Sequence, residues 1–216
     1  GYLPEALCNY LVRLGWAHGD DEGISIEQMI EWFTLDAIGK SPSRFDFAKL
    51  ENLNGIYIRA AEDQRLIDAM EVVLPELERP SLFGTKLSDG HRKQLLGAMP
   101  GLKERAKTVV QLIESAEFIA ATVPLDYTEK ALSLLDETGR GILTDLIPAL
   151  KSAEWNAESL ETVVKAYAVE RDLKLGKVAQ PLRAALTGSH MSPGIYDVLL
   201  VLGREQSLKR ISAAIS

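Results

Sequence analysis

The sequence predicts an all-α protein. Apolar residues recur at steps of three and four along most of the chain, which is the spacing of one face of an α-helix. Residues that favour the first turn of a helix precede several of these runs. No stretch alternates apolar and polar residues over the length of a strand. We therefore expect about ten to twelve helices.

The first two helices have recognisable starts. Residues 4–16 open with Pro4, which suits a first helical turn because the missing N–H would have no partner there. Ser25 and Gln28 have the spacing of a capping box and predict the start of the second helix. The apolar face predicted for the first helix consists of Leu7, Tyr10, Leu11 and Leu14.

Turn residues separate the remaining helices. Residues 46–55 are predicted as a short helix that ends at Asn54 and Gly55, and residues 62–78 as a longer amphipathic helix. The proline and glycine of residues 78–84 mark a joint in the chain, and a softer joint follows Trp155. We therefore predict domains at 1–80 and 81–216, the second with sub-lobes at about 81–155 and 156–216. Further helical runs begin near Ser88, Pro100, Leu125, Thr138 and Asn156.

The composition is that of an ordinary globular protein, with 46% hydrophobic and 25% charged residues. This excludes a disordered tail, and no stretch approaches the roughly 18 apolar residues of a membrane span. We expect a cytoplasmic protein, since no export leader is recognisable. The net charge of −7 argues against nucleic acid as a partner. Residues 170–216 are the exception, because they carry 7 Lys/Arg against 4 Asp/Glu.

Residue types that perform catalysis or bind metals are sparse. Neither a phosphate-binding loop nor a dinucleotide fingerprint is found in the sequence. The single cysteine, Cys8, lies beside apolar neighbours in the first helix, so we expect a small buried hydrophobic residue. The three histidines stand far apart in sequence, which disfavours a zinc site. The sequence therefore predicts neither a catalytic residue nor a metal ligand.

Two segments carry more information than the composition does. Residues 40–59 contain four cations suited to positioning phosphates: Lys40, Arg44, Lys49 and Arg59. The simpler interpretation is a helical corner whose core is filled by Phe45, Phe47, Leu50, Leu53 and Ile56. In residues 176–196, a helix with Pro181 inside it would place Lys177, Gln180 and Arg183 near its N-terminal half, where the helix dipole favours anions. Its buried face would be Val178, Leu182, Ala185 and Leu186.

At these residues the sequence resembles the C-terminal half of the bacterial glutamyl-tRNA synthetases. The opening GYLPEALCNYLVRLGW is similar to the segment that follows the family's second ATP-binding signature. SPSRFDFAKLENLNGIYIR resembles its stem-contact region, and GKVAQPLRAALTGSHMSPGIYDVLLVLGREQSLKRI its terminal anticodon-binding lobe. The resemblance implies a stem-contact helical region followed by a two-lobed, α-helical anticodon-binding domain.

The resemblance also implies an activity for a longer parent protein. The family is a class I synthetase whose catalytic domain activates glutamate with ATP and Mg²⁺ and then charges tRNA. Both signatures of that domain, the His-x-Gly-His and Lys-Met-Ser-Lys types, are missing from this sequence. We therefore expect no aminoacylation and no cofactor here. The expected partner is glutamate tRNA, with glutamine tRNA left open, and the expected state is a monomer.

Site residues follow from the resemblance position by position. Arg183 matches an arginine that reads an anticodon base near the 3′ side. Ser192, Pro193 and Ile195 match the stretch beside which the middle and third bases pack. Arg105 is matched to the arginine that reads the first anticodon base. On the tRNA body, the resemblance points to contacts by Arg44, Lys49 and Arg59.

Two other interpretations compete with this one. An all-α protein-interaction module would use exposed apolar ridges, such as residues 196–202, to hold a partner helix and would have no RNA-binding role. A small helical enzyme is the third interpretation, and no constellation of residues favours it. Salt separates the first two, because RNA binding driven by phosphates weakens steeply as salt rises.

Overall fold

The computed structural model describes residues 1–19, 21–39 and 43–216. Of the described residues, 68% are helical and none lies in a strand. The prediction of an all-α fold is therefore confirmed. No helix in this part of the chain has the length and apolar character that crossing a membrane requires.

The described residues form eleven α-helices and three short 3₁₀ helices. The α-helices are α1 (Pro4–Arg13), α2 (Ile26–Trp32), α3 (Phe47–Ala60), α4 (Asp63–Val73), α5 (Asp89–Lys103), α6 (Val109–Ala116), α7 (Glu129–Leu134), α8 (Glu137–Ser152), α9 (Ala157–Glu170), α10 (Leu175–Thr187) and α11 (Ile195–Ile215). The 3₁₀ helices are Leu35–Ala37, Leu74–Glu76 and Glu117–Ile119.

The chain forms two compact units. The first unit comprises Gly1–Ser81 with Lys103–Glu114, and the second comprises Leu82–Leu102 with Ser115–Ser216. The domains predicted at 1–80 and 81–216, with their sub-lobes at about 81–155 and 156–216, stay a prediction.

Two apolar clusters form in the N-terminal part of the first unit. Tyr10 of α1 packs with Leu50 and Leu53 of α3, and Trp16 packs with Ile24 and Met29. The predicted capping box opens α2, since Ser25 N–H donates to Gln28 Oε1 (2.9 Å) and Gln28 N–H to Ser25 Oγ (3.2 Å). The predicted amphipathic helix at 62–78 appears as α4 with the following 3₁₀ helix, with Leu66, Ile67, Met70 and Leu74 buried.

The rotation of α1 differs from the prediction. Leu7 and Leu11 are exposed, and so is Cys8, so the expectation of a buried cysteine is wrong. The buried side consists of Leu3, Ala6, Asn9 and Tyr10. Polar anchors fix this rotation: Asn9 Nδ2 donates to Glu22 O (2.7 Å), and Tyr10 Oη accepts from Asp46 N–H (2.6 Å).

Helix α3 also differs from the prediction, because it continues past Asn54 and Gly55 to Ala60. The Asn54 side chain is committed to neighbouring backbone, accepting from Leu3 N–H (2.8 Å) and donating to Lys107 O (2.5 Å). Gly55 is buried in the same helix, and a Cβ there would be at ordinary van der Waals distance, 3.6 Å, from Ala106 O. Asn54 therefore serves tertiary contacts inside the helix, and the pair does not end it.

The second unit is a bundle in which α8, α9 and α10 pack with α11. Its core includes the predicted buried face of α10, which is confirmed at Val178, Leu182, Ala185 and Leu186. Asn156 caps α9 as predicted, with its Oδ1 accepting from Ser159 N–H (2.8 Å). The start predicted near Thr138 is instead capped by Asp136.

Helix α11 is broken at Gly203, whose φ of 73° and ψ of 169° are not helical. The break exposes carbonyls that side chains from elsewhere in the unit then satisfy. Trp155 Nε1 donates to Leu199 O (3.1 Å), and Gln94 Nε2 donates to Val201 O (3.0 Å). Hydrogen bonds from Trp155 and Gln94 of the same unit therefore stabilise the kink at Gly203.

Candidate nucleic-acid interface

Arg183 lies on helix α10, and the packing of buried residues fixes the position of this helix. Leu182 and Ala184, on either side of Arg183, are fully buried. The helix ends at Gly188 in the left-handed conformation (φ 72°), where a Cβ would come within 2.3 Å of Asp126 O. Only glycine meets both conditions, so the sequence fixes where α10 stops and the following turn begins.

The Arg183 guanidinium holds the turn between α10 and α11. Its Nη1 donates to Ser192 O (3.0 Å), to Pro193 O (2.6 Å) and to the Ser192 hydroxyl oxygen. The Ser192 hydroxyl in turn donates to Pro193 O (2.9 Å). The structure thus joins Arg183 of α10 to two other predicted anticodon-site residues, Ser192 and Pro193, which lie in what we call the α10–α11 turn (residues 188–194).

The α10–α11 turn is pressed against its own unit. A Cβ on Gly101 of α5 would lie 2.9 Å from Pro193 Cβ, so glycine is needed for the close approach. Ser192 and Pro193 are buried, and Ile195 begins α11 with its side chain in the core. Ile195 therefore supports the turn from inside, whereas Met191 and Gly194 form its exposed edge.

The other cations of residues 170–216, apart from Arg183 and Arg210, divide into two groups. Arg171 is held by Asp145 (3.0 Å) and lies over the Tyr167 ring, and Arg204 donates to Ala153 O (2.6 Å) and lies over the Trp155 ring. Lys174, Lys177 and Lys209 are exposed, and no ion pair joins them to the residues that the structure describes. These three lysines are the candidates for contact with phosphate in the second unit.

Arg210 of α11 helps to hold the last turn of α10, and the sequence did not single it out. It is only 2% exposed, and its guanidinium donates to Leu186 O (2.7 Å), Phe118 O (2.8 Å) and Ala121 O (2.6 Å). Burial lowers the pKa of Arg210 to about 10, so the group is still charged at neutral pH. No sequence signal could have found it, because its position in α11 resembles that of any other basic residue.

Arg105 belongs to the first unit, where it lies exposed in the turn after α5. The helix that the sequence suggested around it ends at Lys103. Its predicted contact with the first anticodon base stays a prediction.

Two of the three predicted tRNA-body residues lie along α3, and the third lies just before it. Arg44 precedes the helix, Lys49 lies in its first turn and Arg59 in its last, and all three are exposed. Lys49 and Arg59 are roughly 15 Å apart along the helix axis, at 1.5 Å per residue. An open cleft of about 590 Å³ is lined by Arg44, Phe45, Asp46, Phe47, Ala48 and Lys49. Lys40 lies outside the described residues.

Phe45 and Phe47 are exposed, so the core role suggested for them is wrong. The reason lies in the cap, since the Asp46 side chain accepts from Ala48 N–H (2.9 Å) and Lys49 N–H (3.2 Å). This starts α3 at Phe47 and leaves Phe45 before it. The buried side of the helix then begins at Leu50.

Comparisons with known proteins match this chain to an anticodon binding domain and to glutamate–tRNA ligases. Residues 65–215 match the family model described as an anticodon binding domain. Glutamate–tRNA ligase 2 of Brucella ovis and glutamate–tRNA ligase 1 of Brucella melitensis are each 58% identical over 212 residues, which is 98% of this chain and 45% of theirs. The chain therefore spans less than half the length of these curated relatives.

Solved structures give the same result. A glutamate tRNA ligase from Elizabethkingia meningosepticum, crystallised with its amino acid, matches all of this chain and 41% of its own, with 28% identity and a TM-score of 0.83. The glutamate-tRNA synthetase of Elizabethkingia anophelis matches with 29% identity and a TM-score of 0.78.

The fold is that of an all-helical recognition domain. The chain belongs to the anticodon-binding domain family and is homologous to the C-terminal tRNA-recognition part of glutamate–tRNA ligases. This supports RNA recognition over a module that binds only proteins.

Proposed function

We propose that this chain recognises glutamate tRNA for a glutamate–tRNA ligase, with the α10–α11 turn reading the anticodon loop. The observation that carries the proposal is the hydrogen-bonded set of Arg183, Ser192 and Pro193 within the family-matched residues. Sequence-specific recognition of RNA targets single-stranded loops, whose bases can be unstacked and read along their edges. An anticodon loop is therefore a suitable ligand for the turn, because its bases are single-stranded and can be unstacked.

The rigidity of the turn supports this role. A guanidinium offers planar donors that match a base carbonyl, and Arg183 already has its rotamer fixed by Ser192 and Pro193. Less side-chain freedom is then lost when a base binds, which improves both affinity and discrimination. Contacts by Ser192, Pro193 and Ile195 are part of the proposal, with Ile195 acting through the backbone that it anchors.

The tRNA body would contact the first unit along α3. Lys49 and Arg59 are exposed cations on α3 and Arg44 is an exposed cation just before it, and exposed cations of this kind position phosphates. Arg105 would read the first anticodon base. Since an acidic chain binds RNA only where cations concentrate, these positions and the lysines of the second unit would carry most of the salt dependence.

We propose that aminoacylation is performed by a longer protein of which this chain is a part. Within its described residues, the chain has no group of three or more His, Cys, Asp or Glu that could hold a metal ion. Glutamate activation with ATP and Mg²⁺ would belong to the N-terminal portion that the relatives carry. We further propose a monomeric, cytoplasmic enzyme that charges glutamate tRNA, with glutamine tRNA as the second substrate to test.

A titration tests the proposal. The chain is titrated with glutamate tRNA and with the same tRNA carrying a scrambled anticodon, at two salt concentrations. We expect tighter binding of the native anticodon and weaker binding of both RNAs at high salt. Equal affinity for the two RNAs would contradict the assignment of the turn, and the absence of binding to either would contradict the RNA-recognition function.

A further inference from the structure

Two phenylalanines at the start of α3 are exposed beside cations. Phe45 is 40% and Phe47 is 67% exposed, and both line the open cleft that also contains Arg44 and Lys49. We call it the α3 cleft (lined by residues 44–49). Single exposed apolar residues are normal on a protein surface. Two aromatic rings that share a cleft with two cations are a different feature, because they offer flat apolar faces and positive charge to one ligand.

The rings belong to a row of aromatic side chains that starts in the core. Tyr10 is buried, and its ring meets the Phe45 ring edge to face, with the ring centroids 4.9 Å apart. The Phe45 ring meets the Phe47 ring in the same manner, with the centroids 4.8 Å apart. The backbone between the two phenylalanines is also fixed, because Asp46 N–H donates to Tyr10 Oη (2.6 Å). Phe47 is therefore held in position while its ring stays exposed, so packing a ligand on it costs little side-chain freedom.

The α3 cleft has an excess of positive charge. Residues 43–50 contain two cations, Arg44 and Lys49, and one acid, Asp46. No ion pair joins either cation to the residues that the structure describes. The Asp46 carboxylate is occupied at the start of the helix, where its Oδ1 accepts from Ala48 N–H (2.9 Å) and Lys49 N–H (3.2 Å). Both cations can therefore contact an anionic ligand.

Aromatic rings beside cations match the chemistry of a nucleotide. Proteins bind single-stranded nucleic acid by stacking bases on aromatic side chains while cations contact the phosphate backbone. A base can lie flat on a ring only where it is unstacked, because the neighbouring base pairs of a duplex cover its faces. An unpaired nucleotide of an RNA therefore fits both the rings and the charge of the α3 cleft.

Arg44 and Lys49 are also cations proposed to contact the tRNA body, so the α3 cleft lies where that RNA would pass. We propose that the α3 cleft binds an unpaired nucleotide of the tRNA body, outside the anticodon loop. The base stacks on Phe47, and the phosphates beside it contact Arg44 and Lys49. This inference rests on the proposed function, because it takes the chain as a tRNA-recognition region, and it adds a base contact to the phosphate contacts of these cations.

Substitutions of Phe47 test the stacking. We expect Phe47→Ala to bind glutamate tRNA about fivefold or more weakly than the parent chain, which is the lower end of the loss for one base stacked on an aromatic ring. Phe47→Leu, which is apolar but has no ring, should also lose affinity, whereas Phe47→Trp should bind at least as tightly as the parent chain. The matched control is Val72→Ala, because Val72 is 73% exposed on α4 of the same unit, and its tRNA affinity should not change.

Salt separates base stacking from phosphate contact. The affinity lost in Phe47→Ala should be the same factor at low and at high salt, because stacking on a neutral ring releases no counterions. Lys49→Ala should instead reduce the slope of log affinity against log salt by about 1. All variants should keep the helical circular dichroism of the parent chain, since both side chains are exposed. A salt slope in Phe47→Ala that falls as much as in Lys49→Ala would overturn the stacking.

The choice of RNA separates this proposal from the proposed function. The loss in Phe47→Ala should have the same size with native and with scrambled-anticodon glutamate tRNA, because the nucleotide belongs to the tRNA body. Equal binding of glutamate tRNA by the parent chain and Phe47→Ala would overturn the nucleotide site and leave tRNA recognition standing, and a loss confined to the native anticodon would also overturn the site. A Phe47→Ala loss in a chain without anticodon preference would support the site and contradict the role of the α10–α11 turn. No tRNA binding by the parent chain would overturn both.

Discussion

Arg183 links the local geometry of the α10–α11 turn to the proposed recognition of a base. It gives hydrogen bonds to Ser192 O and Pro193 O within a half-buried site. In water these bonds would be worth little, but the carbonyls of a buried turn lose their solvent and need a donor. Arg183 is thus a structural residue of the free protein as well as a proposed reader of RNA.

Replacing Arg183 with alanine should loosen the turn. We expect Arg183→Ala to lower the free energy of unfolding by about 1–3 kcal/mol, because two carbonyls lose a charged donor. Amide hydrogen exchange should accelerate at residues 189–194. Arg204→Ala is the control, since Arg204 is exposed in α11 and its loss should leave exchange in the turn unchanged. Unchanged amide hydrogen exchange at residues 189–194 in Arg183→Ala would contradict the claim that Arg183 holds the turn.

Arg210 has a larger structural role than its surface-like sequence position suggests. We expect Arg210→Met to cost about 3 kcal/mol or more, because the carbonyls of Phe118, Ala121 and Leu186 would be buried without their donor. Denaturant unfolding of the variant against the parent chain measures this cost. Lys209→Met, a neighbouring exposed residue, should stay within about 0.5 kcal/mol of the parent.

At the scale of elements, the prediction succeeded where the local sequence determines the outcome. The capping box of α2, the Asn156 cap of α9 and the buried face of α10 each depend on residues close together in the chain. The rotation of α1 could not be predicted, because it depends on Asn9 and Tyr10 reaching backbone and side chains far away in sequence. Periodicity alone cannot choose between the two apolar sides of such a helix.

Asn54 and Gly55 failed as a stop signal for the same kind of reason. In isolation this pair favours a turn. In the protein, Asn54 bonds the backbone of Leu3 and Lys107, and those tertiary contacts outweigh the local preference. At the candidate site, likewise, the sequence suggested Arg183, but the bonds that fix it became visible only in the structure.

The break in α11 gives a test at the same scale. At φ 73° and ψ 169°, Gly203 has a conformation that a residue with a Cβ adopts only under strain. We expect Gly203→Ala to destabilise the chain by about 1–3 kcal/mol. The matched control is Gly141→Ala in α8, which should be neutral or stabilise by up to about 1 kcal/mol, because an added Cβ there meets nothing within 4 Å. Equal unfolding midpoints for the two variants would contradict the strain argument.

At the scale of the whole molecule, the acidic charge and the proposed RNA function are compatible because the charges are segregated. Residues 1–39 carry one Lys/Arg against seven Asp/Glu, whereas residues 170–216 carry 7 against 4. The first of these regions contains helices α1 and α2, and the second contains the α10–α11 turn. An acidic face would also disfavour non-specific RNA by repulsion, which improves discrimination.

Recognition of the anticodon by the α10–α11 turn is the central claim, and its most direct test combines a protein change with an RNA change. The parent chain, Arg183→Ala and Arg204→Ala are each titrated with native and scrambled-anticodon glutamate tRNA at one salt concentration. We predict that Arg183→Ala loses about 1–3 kcal/mol of its preference for the native anticodon, while Arg204→Ala, which removes the same charge, keeps the preference. An equal preference in all three proteins would contradict the claim.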